Sequence, residues 1–149
     1  GNTTSFTLSS TGDSNTQTLA VGATGDVAGS DFDFAATGDS NALTFTQGAA
    51  ATATSGNTDI VIAGTSNDLN IVSEVVGATN NWDVDGDSND IDTTQTGNAN
   101  HSITADITGN TNNIDIDQTS STGSTSGIVN IIGITTGGTI DIDQCASGC

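Results

Sequence analysis

The sequence predicts an all-β protein, a β-solenoid of about six two-stranded rungs that stack end to end. Three observations lead to this fold. First, IDIDQ occurs at residues 114–118 and 140–144, and TGDSN at 11–15 and 37–41, both with a spacing of 26 residues. Second, short alternating segments lie between turn-forming residues, at intervals of about 11 residues. Third, the chain shows no sustained apolar period of 3.6 residues, so we expect almost no helix.

The candidate strands are short segments in which apolar and polar residues alternate, bounded by clusters of Gly, Asn, Asp, Ser and Thr. In chain order they span residues 5–8, 15–21, 30–36, 41–47, 50–55, 59–64, 67–74, 81–85, 89–95, 100–107, 113–118, 127–134 and 139–144. A longer low-complexity connection, 119–127, delays the penultimate strand. We expect one domain over 1–149, of which residues 144–149 form a cysteine-containing tail.

Three segments align without gaps: GDSNALTFTQ (38–47), GDSNDIDTTQ (86–95) and GNTNNIDIDQ (109–118). Because side chains two apart share a face of a strand, each segment has an inner face with apolar residues in the middle and an amide at either end. Buried amides need hydrogen-bond partners, which a stacked counterpart in the next rung supplies. We expect such ladder positions at Asn41, Gln47, Asn89, Gln95, Asn100, Asn112, Gln118 and Gln144.

One segment leaves its register open. In 100–107 the apolar set that begins at His101 lies opposite Asn100, so either face can point inward.

The charge balance excludes some partners. The chain has 18 acidic residues, no Lys and no Arg, and a formal net charge of −18. Nucleic acid is therefore not an expected partner, because phosphate binding depends on Lys and Arg. No apolar run reaches transmembrane length. The chain starts at Gly1 without Met, and we expect a processed, secreted product.

Ten of the acids form five Asp-x-Asp pairs, each of which projects from one face of a strand. Two interpretations stay open: a solvated acidic face that confers solubility, or carboxylates bridged by a divalent cation such as Ca²⁺. No cofactor is expected to be required. The candidate ligands are Asp83, Asp85, Asp87, Asp90, Asp92, Asp115, Asp117, Asp141 and Asp143.

The remaining chemically distinctive residues are few. Cys145 and Cys149 favour a local disulfide in an oxidising compartment, with an intermolecular bond as the alternative. Trp82, the only tryptophan, is expected to fill a core layer. His101 is the only histidine, and because no nucleophile is singled out beside it, we expect no enzymatic activity.

Residues 89–106 resemble the curlin repeat, the unit of the major subunit of bacterial curli fibres, whose pattern is Ser-x5-Gln-x4-Asn-x5-Gln. Here it reads Asn89-x5-Gln95-x4-Asn100-x5-Asp106, and residues 41–47 and 112–118 match its first half. The resemblance implies an extracellular β-solenoid that polymerises as a functional amyloid and scaffolds a biofilm. The abundant Asp and the terminal cysteines depart from the family pattern.

The functional prediction is therefore a structural subunit of an extracellular fibre. Monomeric β proteins protect sheet edges with Lys, Pro or a covering helix, whereas this chain has no Lys and no Pro. Its open ends favour a head-to-tail homopolymer, and its Asp faces favour contact with neighbouring filaments or matrix polymers.

Two alternatives remain. One is a calcium-dependent adhesin module; the other is an ice-binding solenoid based on the pairs Thr16/Thr18, Thr44/Thr46 and Thr52/Thr54.

Overall fold

The computed structural model describes residues 5–21, 29–48, 56–74, 77–97, 101–120, 125–132 and 138–146. These residues contain no helix, as the alternation predicts. The strands are β1 (Ser5–Thr11), β2 (Ser14–Val21), β3 (Ser30–Thr37), β4 (Ser40–Gln47), β5 (Gly56–Ala63), β6 (Ser66–Ser73), β7 (Thr79–Asp85), β8 (Ser88–Gly97), β9 (His101–Thr108), β10 (Thr111–Ser120), β11 (Thr125–Ile132) and β12 (Ile140–Ala146).

Consecutive strands belong to different sheets. The odd-numbered strands form one sheet in the order β1-β3-β5-β7-β9-β11, and the even-numbered strands form the other in the order β12-β10-β8-β6-β4-β2. Every neighbouring pair is parallel. Parallel neighbours need a crossover, and here each crossover is a strand of the opposite sheet. The chain therefore winds as a β-solenoid, which confirms the predicted all-β solenoid, while the number of rungs and their end-to-end stacking stay predictions.

The two edges of this winding differ. At one edge, here called the turn edge, two residues join the odd strand to the even strand at 12–13, 38–39, 64–65, 86–87 and 109–110. At the other, the loop edge, the connections before β3, β5, β7, β9 and β11 vary from three to eight residues. The tight turn thus sets the position of each strand pair, while the loop absorbs the differences in repeat length.

The repeated phrases are neighbours in the structure. Ile114 pairs with Ile140 and Gln118 with Gln144, so the two IDIDQ copies lie side by side in the even sheet. The two TGDSN copies stack in the same way across the turn edge, as shown by Thr11 opposite Thr37 and Ser14 opposite Ser40. The prediction that repetition marks equivalent places in a stack is confirmed.

The core lies between the two sheets and is built from the inner faces that the alternation predicts. Phe32 of β3 and Phe45 of β4 meet across it with ring centroids 5.0 Å apart. In the segment 100–107, whose inward face the sequence left open, the buried residues are His101, Ile103, Ala105 and Ile107. The candidate strand 50–55 and residue Asn100 lie outside the described residues.

Candidate functional site

A ladder of asparagines follows the turn edge inside the solenoid. In each of four steps an Asn side-chain Nδ2 donates to the Oδ1 of the Asn in the next even strand, over 2.8 to 2.9 Å. The members are Asn15, Asn41, Asn67, Asn89 and Asn112. Of these, all but Asn15 are buried. An amide carries both donor and acceptor, so identical neighbours satisfy each other.

Each ladder asparagine also fixes the turn beside it. The Asn67 Nδ2 donates to the Gly64 carbonyl three residues earlier at 3.5 Å and to the Asp85 carbonyl of the next coil at 3.0 Å. Asn41 repeats both contacts at 3.2 Å, with Gly38 and Ala63. One side chain thus ties its own turn to the strand above, which explains why Gly-x-Ser-Asn recurs.

Glycine opens these turns because the stacked backbones come very close. A Cβ placed on Gly64 would lie 2.0 Å from the Gly38 carbonyl oxygen and 2.5 Å from the Asn41 Nδ2. A Cβ placed on Gly86 would lie 2.1 Å from the Gly64 carbonyl oxygen, and one placed on Gly109 would lie 1.9 Å from the Gly86 carbonyl oxygen. Larger residues would push the coils apart at the point where the asparagine ladder needs contact.

A second polar column lies toward the loop edge of the even sheet. Gln144 Nε2 donates to Gln118 Oε1 at 2.7 Å, and Gln118 Nε2 donates to Gln95 Oε1 at 2.6 Å. Lower in the same column, the Ser73 hydroxyl donates to Gln47 Oε1 at 3.2 Å. The predicted glutamines therefore share one column, and Ser73 takes the place of a glutamine in it.

The one histidine lies in the odd sheet at the level of this column. His101 is fully buried, and its Nδ1 accepts a hydrogen bond from the Ala78 backbone N–H at 3.4 Å. Desolvation lowers the pKa of His101 below its ordinary value of 6.5, because burial disfavours the imidazolium. The neutral ring is therefore the folded form at neutral pH.

On the outer faces, one group of aspartates accepts hydrogen bonds from asparagine amides in the same strand or in a neighbouring strand. Asn57 donates to Asp31 at 3.0 Å and to Asp59 at 3.1 Å, and Asn81 donates to Asp59 at 2.8 Å. Asn113 likewise donates a hydrogen bond to Asp90 at 2.8 Å. These amide donors offset part of the carboxylate repulsion, and the alternation alone did not identify them.

The acidic patch is the contrasting group: Asp92, Asp115, Asp117, Asp141 and Asp143 on the outer face of the even sheet. Asp115 stacks between Asp92 and Asp141, while Asp117 stacks on Asp143. Desolvation, followed by the charges of Asp117, Asp92, Asp141 and Asp143, raises the pKa of Asp115 above its ordinary value of 3.8. Like charges on adjacent strands destabilise the sheet.

The predicted calcium ligands are exposed and are not gathered into one compact group. Among the described residues, the three carboxylates whose oxygens all lie within 4.8 Å of one another are Asp31, Asp33 and Asp59. Asp31 and Asp33 form one of the five Asp-x-Asp pairs, but none of the three is among the nine candidate ligands, which extend from Asp83 to Asp143. Exposed carboxylates of this kind occur without bound metal, so calcium binding stays a prediction.

Two further predictions concern the cysteines near the last strand and the Thr pairs. Cys145 is disulfide-bonded, and Cys149 lies outside the described residues. Of the threonines proposed for ice binding, Thr18 stacks on Thr44, but Thr16 faces Ala42 and Ala20 faces Thr46. Thr52 and Thr54 lie outside the described residues. Two full Thr columns therefore do not form between β2 and β4.

The even sheet ends on an incompletely covered strand. Ile140 and Ile142 of β12 are 48% and 39% exposed, whereas their partners Ile114 and Ile116 on β10 are each 1% exposed. The inner face of β12 thus presents apolar surface that one more strand would cover. Val61, the other large exposed apolar residue in the described part of the chain, points outward from a central strand, β5.

No protein-family model, curated protein or solved structure matches this chain. The curlin resemblance therefore stays a prediction. Within the described residues, no helix has the length and apolar character to cross a membrane.

Proposed function

We propose that this chain is a structural subunit that polymerises head to tail, through its end strands, into an extracellular fibre. The observation that carries the proposal is the exposure of Ile140 and Ile142, whose register partners on β4, β6, β8 and β10 are all buried. Burying these side chains against a further strand contributes roughly 25 cal/mol for each Å² of apolar surface removed from water.

The N-terminal strands of a second copy fit this position. If the parallel register of the even sheet continues, β2 of the second copy lies next to β12, with Leu19 beside Ile142 and Gln17 beside Ile140. Leu19 and Val21 are only partly buried within one copy and pack against its core from the opposite end. The junction thus completes the core of both copies and pairs the open strand edges.

Charge repulsion favours head-to-tail stacking over a junction between two C-terminal ends. Two copies joined through their C-terminal ends would bring two sets of Asp141 and Asp143 together. In the head-to-tail arrangement, Asp141 and Asp143 lie beside Thr18 and Ala20 of the next copy. A contact between two different surfaces does not close on itself, so it generates a filament.

The proposed location and role of the fibre are those that the curlin resemblance implies. Each subunit contributes about six rungs, or roughly 30 Å of fibre. The fibre is secreted and serves a biofilm matrix or a cell surface as a functional amyloid. Asp-rich outer faces keep single filaments soluble and meet neighbouring filaments or matrix polymers, with calcium as the expected bridging cation.

Electron microscopy of purified chain tests the proposal, with Ile142→Lys as the disrupting variant and Val61→Lys as its control. Both substitutions place an ammonium on an exposed apolar site, but only the first lies on the end strand. Wild type and Val61→Lys should form filaments. Ile142→Lys should lower filament mass more than about ten-fold, since an unpaired buried charge costs well above 1.4 kcal/mol.

Parallel samples in calcium and in chelator separate the roles of the acids. Filaments in both would mean that the acids mainly solvate the fibre, whereas filaments only in calcium would assign them a bridging role. Monodisperse particles at high concentration in both, or equal suppression by the two Lys variants, would refute end stacking.

A further inference from the structure

One layer of the core changes from apolar to polar in the middle of the solenoid. Phe32, Thr58, Asn80 and Ile103 follow one another in a single column of the odd sheet. Their counterparts across the core, in the even sheet, are Phe45, Ile71, Thr93 and Ile116.

Asn80 and Thr93 hold equivalent positions on the two sides of the β7–β8 turn. Asn80 lies six residues before Gly86, and Thr93 lies six residues after Asp87. Phe32 and Phe45 hold the same positions about their own turn, and their rings meet at 5.0 Å. The coil formed by β7 and β8 therefore has an amide and a hydroxyl where the coil of β3 and β4 has two aromatic rings.

Buried polar atoms at this level, and one in the next inward layer, have no hydrogen-bond partner in the protein. They are both amide atoms of Asn80, the hydroxyls of Thr58 and Thr93, and the indole Nε1 of Trp82. All four side chains are buried, at 3% exposure or less. Thr58 is the register partner of Asn80, roughly 4.8 Å away across the strands, and Trp82 is the next inward residue on β7.

The side chains at this level are smaller than their counterparts in other coils of the solenoid. Two phenyl rings fill this layer in the β3–β4 coil and two isoleucines fill it in the β9–β10 coil, whereas Asn and Thr are smaller. Continuous registers through the two sheets hold the sheet separation near a common value of roughly 10 Å. A buried polar group left without a partner destabilises the fold, and a bridging molecule removes that cost.

We propose that this layer is a binding site for ordered internal water, bridging the Asn80 amide, the Thr58 and Thr93 hydroxyls and the Trp82 indole N–H. Water supplies both donors and acceptors, and a buried water typically makes about three hydrogen bonds. The site is independent of self-assembly because its four residues lie on β5, β7 and β8, away from both end strands of each sheet.

NMR magnetisation transfer from water to the indole N–H of Trp82 and the side-chain amide of Asn80 tests the site in soluble or fibrous samples. Trp82 is the only tryptophan, so its indole signal is unambiguous. The disrupting variant is Asn80→Leu with Thr93→Val, which keeps the side-chain shapes and removes polar atoms that would hold water, since internal water needs polar partners. The control, Asn81→Leu with Thr94→Val, makes the same changes at the adjacent outward positions.

Wild type and the control should show a water cross-peak at the Trp82 indole N–H, and the disrupting variant should lose it. Thr93→Val alone serves if the double variant does not fold, with a weakened cross-peak expected. The proposal is overturned if wild type shows no cross-peak at either group, a measurement that needs no variant. It is also overturned if the folded disrupting variant keeps the full cross-peak.

Discussion

Two columns of identical side chains run along the even sheet, and stacking has opposite consequences in them. On the inner face, asparagines from Asn15 to Asn112 donate to one another at 2.8 to 2.9 Å. On the outer face, Asp92, Asp115 and Asp141 stack at the same strand spacing and repel. Desolvation, followed by the neighbouring carboxylate charges, raises the pKa of Asp115. The two side chains differ by one atom group, the NH₂ of the amide. Repetition stabilises a stack only when the repeated group is both donor and acceptor.

Asn67→Asp places a carboxylate at the central position of the buried asparagine ladder. Of the substitutions considered, it should lower the free energy of unfolding the most. It replaces a buried donor by a carboxylate that faces the Asn41 amide, the Asn89 amide and two backbone carbonyls. We expect a loss of about 3 to 5 kcal/mol in the free energy of unfolding at neutral pH. Urea unfolding measures it.

The matched control for this change is Asn70→Asp, the same substitution on the exposed face of the same strand. It should cost less than about 1 kcal/mol, because solvent screens the new charge. Equal losses in the two variants would show that the inner ladder is not what stabilises the turn edge.

Protonation of His101 should have an intermediate effect on the free energy of unfolding, seen as a dependence of stability on pH. Its folded pKa lies below 6.5, so the unfolded chain binds more protons, and stability should fall as the pH drops through 6.5 toward the folded pKa. His101→Gln places an amide in a buried layer that already contains Gln95 and Gln118, and should flatten this slope. Unfolding at about pH 7.5 and about pH 5.5 provides the comparison. An unchanged slope in the variant would assign the pH dependence to the carboxylates instead.

Asp115→Asn should have the smallest effect and the opposite sign, a modest rise in melting temperature, because it supplies a donor between Asp92 and Asp141. The folded pKa of Asp115 lies above 3.8, so wild type should gain stability as the pH falls through the interval between these values. The variant should lack this gain. Asp13→Asn, at a turn at the other end of the solenoid, is the control, and an equal rise there would indicate a general charge effect.

The sequence predicted the strands and their inward faces because the alternation and the Gly-x-Ser-Asn turns are local signals. It indicated the glutamine column through Gln47, Gln95, Gln118 and Gln144 for the same reason. Asn15 and Asn67 were not among the predicted ladder positions, although Gly-x-Ser-Asn occurs at 12–15 and 64–67 and would have identified both.

Outer-face pairing could not be predicted from spacing. The register shift between neighbouring strands changes from 26 to 22 to 23 residues along the chain as the loop edge changes length. Which Asn donates to which Asp therefore depends on three-dimensional alignment, as between Asn81 and Asp59. The exposure of Ile140 and Ile142 could not be predicted either, since the isoleucines of the same IDIDQ phrase are buried in one copy and exposed in the other.

The unequal edges of the winding have an evolutionary consequence. The first five turns keep two residues each, held by glycine contacts and the asparagine ladder, while the loop connections range from three to eight residues. Insertions and deletions can therefore accumulate on one side of the rod without disturbing strand register. A lineage could vary what that side displays, or graft new segments onto it, while every coil stays aligned by the opposite side.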